Sequence, residues 1–218
     1  MNIFKAYRGA AVLKGASVSL EPGERMALAG KNGSGKSTLM RVIAQRLRPD
    51  SGSVELDGRS VARDREFLRK RLGYIPQECE LAEFLTVKQQ LELWRAAVGA
   101  EYPEADELLG LGELMKKRIS ELSGGQRKRV SIALAIQARP DYLVADEAFA
   151  SLDAEYRERF AAWMRSRCED GMAVLWCTHD AQELRRMCGR AVLLDGGVTR
   201  TVSADEAVQF LSEDGRNV

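Results

Sequence analysis

The eight residues Gly30-Lys31-Asn32-Gly33-Ser34-Gly35-Lys36-Ser37 fit the pattern G-x-x-x-x-G-K-S/T and run directly into Thr38. Glycines at this spacing let a backbone fold around a phosphate chain with its N–H groups turned inward, and a helix starting there adds partial positive charge. On this chemistry Asn32, Gly33, Ser34 and Gly35 line a cradle and Lys36 bridges β- and γ-phosphates. Ser37 ligates Mg²⁺, and Thr38 reaches the α-phosphate. The acid such a site needs should end a buried strand, and Tyr142-Leu143-Val144-Ala145-Asp146-Glu147 supplies two. Asp146 is placed to hold Mg²⁺ through water, with Glu147 beyond it to polarise an attacking water. Neighbouring side chains on an extended segment point opposite ways, so the two acids can hold separate roles. A second glycine-rich helix start, Leu122-Ser123-Gly124-Gly125-Gln126, again offers a hydroxyl and backbone amides to an anion. One nucleotide already cradled has little use for it, which points to a nucleotide held by another subunit. His179 is the only histidine in the chain and follows the apolar run Ala173 to Cys177, where α/β sheets place ligand contacts.

These residues need a sheet to hold them. Short apolar runs at Met26 to Ala29, Tyr142 to Ala145, Ala173 to Cys177 and Ala191 to Leu194 read as strands, several of them preceding helix-length segments, as in a mostly parallel sheet. The segment Lys36 to Leu47 reads as the helix behind the cradle, and Arg127 to Ile136 as the helix behind the second anion site. Ala16 to Leu20 and Ser53 to Leu56 alternate apolar and polar residues between glycine and proline breaks, which predicts an antiparallel flank. From about Gln77 to Leu122 strand signals vanish, while Val87 to Trp94 and Ala105 to Met115 carry helical spacing, predicting an inserted helical lobe. Gly196-Gly197 marks a tight turn into Val198 to Val202, followed by a short helix from Ala204 to Leu211.

Composition narrows the function classes. The 218 residues carry 33 Lys plus Arg against 32 Asp plus Glu, a net charge of +1, so nucleic acid is not expected as a partner. Apolar runs fall far short of the roughly 20 residues of a membrane-spanning helix, and the start lacks a signal peptide, so residence in the cytosol is expected. Cys79, Cys168, Cys177 and Cys188 form no C-x-x-C pair and read as free thiols. Trp94, Trp163 and Trp176 read as packing residues. The basic clusters Arg69-Lys70-Arg71, Lys116-Lys117-Arg118 and Arg127-Lys128-Arg129 read as solvated faces.

The order of these motifs, a phosphate loop from Gly30 to Ser37 and then Ser123-Gly124-Gly125-Gln126, resembles the ATPase subunit of ATP-binding cassette (ABC) proteins over almost the whole chain. The resemblance implies an α/β fold: a P-loop core with a mostly parallel sheet, an antiparallel β flank and an inserted helical lobe. It also implies one domain over 1–218, with the core in 1–76 and 123–218 and the lobe in about 77–122. It implies further roles. Tyr7 would lie against adenine with Val12 packed nearby, and Gln77 would contact the metal and link the active site to the lobe. Ser151-Leu152-Asp153 would be the loop that crosses to the partner, and His179 would touch the γ-phosphate. Two subunits would close head to tail around two ATP. Lys36, Ser37, Gln77, Asp146, Glu147 and His179 of one chain would then face Ser123, Gly125 and Gln126 of the other. Where the family commonly has Pro-Thr-Ser-Gly, this chain reads Ala148-Phe149-Ala150-Ser151, which bears on the stiffness of the crossing loop.

The implied function is the ATP-driven motor of a transporter, peripheral on the inner face of the cell membrane through a separate permease subunit. The segment Glu83 to Glu92 resembles export-type members, so export is favoured. The alternative is a soluble cassette ATPase of a non-transport assembly such as iron-sulfur cluster biogenesis. A nucleotide kinase or GTPase leaves Leu122 to Gln126 unexplained.

Overall fold

The computed structural model of the chain describes residues 2–214. A hairpin of β1 (Ile3–Tyr7) and β2 (Ala10–Ala16) leads into β3 (Arg25–Ala29) and α1 (Lys36–Ile43). A second, minimal hairpin, β4 (Glu55–Leu56) and β5 (Arg59–Ser60), precedes α2 (Arg65–Arg71) and β6 (Leu72–Ile75). Three helices follow, α3 (Val87–Val98), α4 (Pro103–Leu108) and α5 (Gly124–Ile136). The chain then alternates β7 (Tyr142–Asp146), α6 (Ala154–Glu169), β8 (Ala173–Cys177) and α7 (Ala181–Met187). It closes with β9 (Arg190–Asp195), β10 (Val198–Ser203) and α8 (Ala204–Asp214).

Six strands form one sheet in the order β10-β9-β3-β8-β7-β6, parallel except for β10 on β9. Alternation along the central strands feeds two hydrophobic clusters. Ala27, Ala145, Val174, Trp176 and Leu193 pack with α3 to α8, while Met26, Leu28, Val144, Leu175 and Val192 pack with α1 and β2. A strand buried on both faces needs apolar residues at every position, which is why these runs were readable as strands.

The flank departs from expectation. Its main strands are β1 and β2, joined by the tight turn Arg8-Gly9 with φ of 47° and 84°. Residues 17–20 alternate but do not form a strand. The Ser17 N–H donates to Thr199 Oγ1 at 2.7 Å, and that hydroxyl donates back to the Ser17 carbonyl at 2.7 Å, so side-chain bonds replace a ladder. Asp50 ties the hairpin down, accepting from Lys5 Nζ and from the Ala6 N–H, both at 2.7 Å. The expected strand from Ser53 shrinks to Glu55–Leu56, and β6 appears where no strand was expected. The expected helix from Lys36 to Leu47 stops at Ile43, ahead of Gln45 at φ 54°.

Between β6 and α5 the chain is helical. Thr86 and Gln89 form a capping box at the start of α3. The helix expected over Ala105 to Met115 breaks instead, because Gly110 takes φ 56° and Arg129 draws the Leu109 and Gly110 carbonyls out of the helix path. A 3₁₀ turn at Gly112–Leu114 carries the remainder.

Candidate active site

Every parallel strand of the sheet ends at one edge, and the expected site residues lie along it. The cradle leaves β3, Gln77 follows β6, Asp146 ends β7, and His179 follows β8. Gly35 begins α1 at φ 102°, and a Cβ there would sit 2.8 Å from Val12 Cγ1, so only glycine lets the loop close against β2. Val12 therefore packs on the cradle itself. Lys36 is 7% exposed and donates to the Gly30 and Lys31 carbonyls at 2.7 and 2.9 Å, leaving one N–H of its ammonium for a phosphate. The Ser34 hydroxyl is buried without a partner. A buried, unbonded hydroxyl in a glycine-rich loop fits a phosphate oxygen as its acceptor.

Asp146 is 2% exposed and accepts hydrogen bonds from the Ser37 hydroxyl and the Cys177 thiol. Burial pushes its carboxyl up, more than those two neutral donors lower it. A buried carboxylate beside a hydroxyl, with only neutral donors bonded to it, suits a hard divalent cation with oxygen ligands, so the residues present fit Mg²⁺.

Glu147 does not continue the strand. Its φ is +48°, and its N–H donates to the Cys177 carbonyl at 3.0 Å. The two acids therefore diverge through a left-handed turn rather than through the pleat. In that position Glu147 meets both other expected catalytic groups. Gln77 Nε2 donates to Oε2 at 3.2 Å, and His179 Nε2 lies 2.8 Å from Oε1. Asp146 does not cap the following helix, whose first flanking residue is Asp153.

Other expected residues lie apart from this group. Ser123 caps α5 in a reciprocal box with Gln126, the hydroxyl accepting from the Gln126 N–H at 3.3 Å and the Gln126 Oε1 from the Ser123 N–H at 3.1 Å. A Cβ on Gly125 would stand 2.6 Å from the Ser151 carbonyl, so this glycine lets α5 touch the loop after β7. Asp153 is exposed and makes no side-chain bond to α6. Tyr7 is 46% exposed, with the Lys5 ammonium 5.8 Å from its ring centre.

The departure at Ala148 to Ser151 has a structural answer: Phe149 is 5% exposed and packs edge-on against Trp176 at 4.7 Å and Phe160 at 6.3 Å. The expectation of a solvated basic face at Arg127-Lys128-Arg129 is overturned. Lys128 and Arg129 are each 3% exposed, and Arg129 lies 3.9 Å over the Tyr156 ring. Sequence spacing could have raised Lys128 and Arg129, since they share the helix with apolar Val130, Ile132 and Ala133.

A family model described as ABC transporter matches residues 13–150. The chain belongs to the ABC transporter family. It is similar to the linearmycin resistance ATP-binding protein LnrL of Bacillus subtilis (strain 168), at 32% identity, covering 90% of this chain and 65% of that protein. The sulfate/thiosulfate import ATP-binding protein CysA of Burkholderia mallei (strain ATCC 23344) is 34% identical, over 95% of this chain and 62% of its own length. The chain thus spans less than two thirds of the length of these curated relatives. Among solved structures, an ATP-binding subunit of an ABC transporter superposes with a TM-score of 0.87 at 25% identity, over 97% of both chains. A dimeric ATP-binding cassette in a post-hydrolysis state, bound to ADP and Pi, superposes with a TM-score of 0.82 at 27% identity, over 93% of this chain and 97% of that one. This ABC chain has the fold of an ATP-binding cassette. The export expectation drawn from Glu83 to Glu92 finds no support among these relatives, which include import proteins by name. Among the described residues no helix is long and apolar enough to cross a membrane.

Proposed function

We propose that the chain is the ATP-hydrolysing motor of an ABC transporter, working as a pair of cassettes beside a separate membrane subunit. The observation that carries this reading is the convergence of Gln77 and His179 on Glu147, one residue past a buried Asp146 bonded to Ser37. Gly30 to Ser37 and Thr38 hold the phosphates, Lys36 neutralises the terminal ones, and Tyr7 with Val12 receives the base. Ser37 and Asp146, together with Gln77, would hold Mg²⁺, which when bound would neutralise charge on the phosphate oxygens. Glu147 accepts a proton from the attacking water, while Gln77 and His179 fix its carboxylate and face the γ-phosphate. Ser123, Gly125 and Gln126 serve the nucleotide of the opposite chain, with Asp153 crossing the same seam. The exposed start of α5 supports this, because its hydroxyl and amides address nothing within their own cradle. Attachment to the membrane is peripheral, through the permease.

The test is steady-state ATP hydrolysis by Glu147→Gln. Turnover falls by about 10²-fold or more while ATP still binds, because the general base is lost and the cradle is intact. Turnover at the wild-type level would remove Glu147 from the mechanism. Affinity capture of the same variant, loaded with ATP, from detergent-solubilised membranes recovers a polytopic membrane protein. Recovery of soluble partners alone, with the membranes demonstrably extracted, would point to a non-transport assembly.

A further inference from the structure

Lys128 stands on α5, past the Ser123 cap, and is 3% exposed. Its ammonium donates to the Pro76 carbonyl at 2.9 Å and to the Gln77 carbonyl at 3.0 Å. These two acceptors lie in the chain leaving β6, where the Gln77 side chain turns to donate to Glu147. Burial pushes the Lys128 amine down, and Cys79, Asp146 and Glu147 draw it back toward the charged form. An apolar side chain of the same length would fill this space without the desolvation cost of a buried cation, and that cost brings no buried ion pair at hydrogen-bond distance. What the ammonium does secure is the main chain on both sides of the Gln77 Cα, through the carbonyls of the two peptides that flank it.

We propose that Lys128 is a positioning residue that clamps the Pro76 and Gln77 carbonyls from α5, so that the Gln77 amide stays on Glu147 and the exposed start of α5 is tied to the hydrolytic carboxylate of its own chain. The proposal rests on the ATPase reading above and deepens it. Lys128 touches no substrate and acts through Gln77. Its Cα lies about 7.5 Å along the helix axis from Ser123, within one rigid element. A phosphate or partner surface that displaces the start of α5 therefore moves the clamp with it.

Steady-state kinetics of the full chain, with thermal midpoints measured in parallel, test this on wild type, Glu147→Gln, Lys128→Met and Lys128→Gln. Lys128→Met lowers kcat about tenfold or more with KM for ATP changed less than about twofold, because the arrangement around Glu147 is lost while the cradle is not. Lys128→Gln can donate to the carbonyls, though from a shorter arm, and its kcat lies between wild type and Lys128→Met. A kcat loss without a matching fall in thermal midpoint separates positioning from packing. If Lys128→Met does not fold, the kcat-to-KM split of Lys128→Gln decides. Unchanged kcat in either folded variant overturns the proposal, as does a raised KM with kcat preserved. Wild type that hydrolyses no ATP, indistinguishable from Glu147→Gln, overturns the ATPase reading, and the proposal falls with it.

Discussion

Glu147 holds its place at a backbone cost. An L-residue at φ +48° pays about 1–2 kcal/mol relative to a right-handed or extended conformation, and glycine pays almost nothing. The strain is what sends the carboxylate away from Asp146 and onto Gln77 and His179. Glu147→Gly is therefore expected to be inactive yet to raise the thermal midpoint above that of Glu147→Gln, by an amount corresponding to about 1 kcal/mol. Calorimetry of the two variants checks this, and a lower midpoint for the glycine variant would show that the side-chain bonds outweigh the strain. Asp146 and Glu147 were readable as candidates from the strand they end, and His179 from its place past another, whereas Gln77 was singled out only by the family resemblance. The left-handed turn was not readable, since nothing in Ala145-Asp146-Glu147 distinguishes a continuing strand from one that ends. Lys128 was missed for a different reason: three consecutive basic residues look solvated unless the apolar run that follows them on the same helix is weighed.

At the level of elements, the loop after β7 is anchored by an aromatic ring where the family commonly has a proline. Phe149 wedges between Trp176 of β8 and Phe160 of α6, so the loop is pinned to two elements at once. Phe149→Ala should cost about 3–5 kcal/mol, the range for emptying a buried aromatic position, and should also free Ser151 and Asp153. Urea unfolding measures the first effect, and proteolysis of the native protein around Ala148 to Asp153 measures the second. The strands buried on both faces were legible because continuous apolar runs admit few other readings. The β1–β2 hairpin was not, because Phe4 and Tyr7 are exposed at 44% and 46% and its outer face carries no clean alternation. The break at Gly110 came from Arg129, far along the chain, which no local window contains.

The whole molecule carries almost no net charge, so its pH dependence is set by a few buried groups instead of global repulsion. Burial pushes Cys168 up to about 11 and Cys188 up to about 12, and raises Cys177 as well, all from a reference of 9.0. Above pH 9 the unfolded chain releases these protons while the folded chain keeps them. The folded state then binds more protons, and stability falls as pH rises from about 9 toward 11 and 12. The urea midpoint is expected to be lower at pH 10 than at pH 8, and replacing Cys168 and Cys188 together with alanine should flatten that decline. An unchanged slope would assign alkaline instability elsewhere.

Gln77, Glu147 and His179 stand just past the ends of β6, β7 and β8, which are immediate neighbours in the sheet. Their mutual distances are set by the spacing between adjacent strands, about 4.8 Å, and not by the lengths of chain that separate them. The intervening loops and helices are thus free to lengthen or shorten without disturbing the group. Deleting a single residue inside any of the three strands would instead turn its final side chains over to the other face.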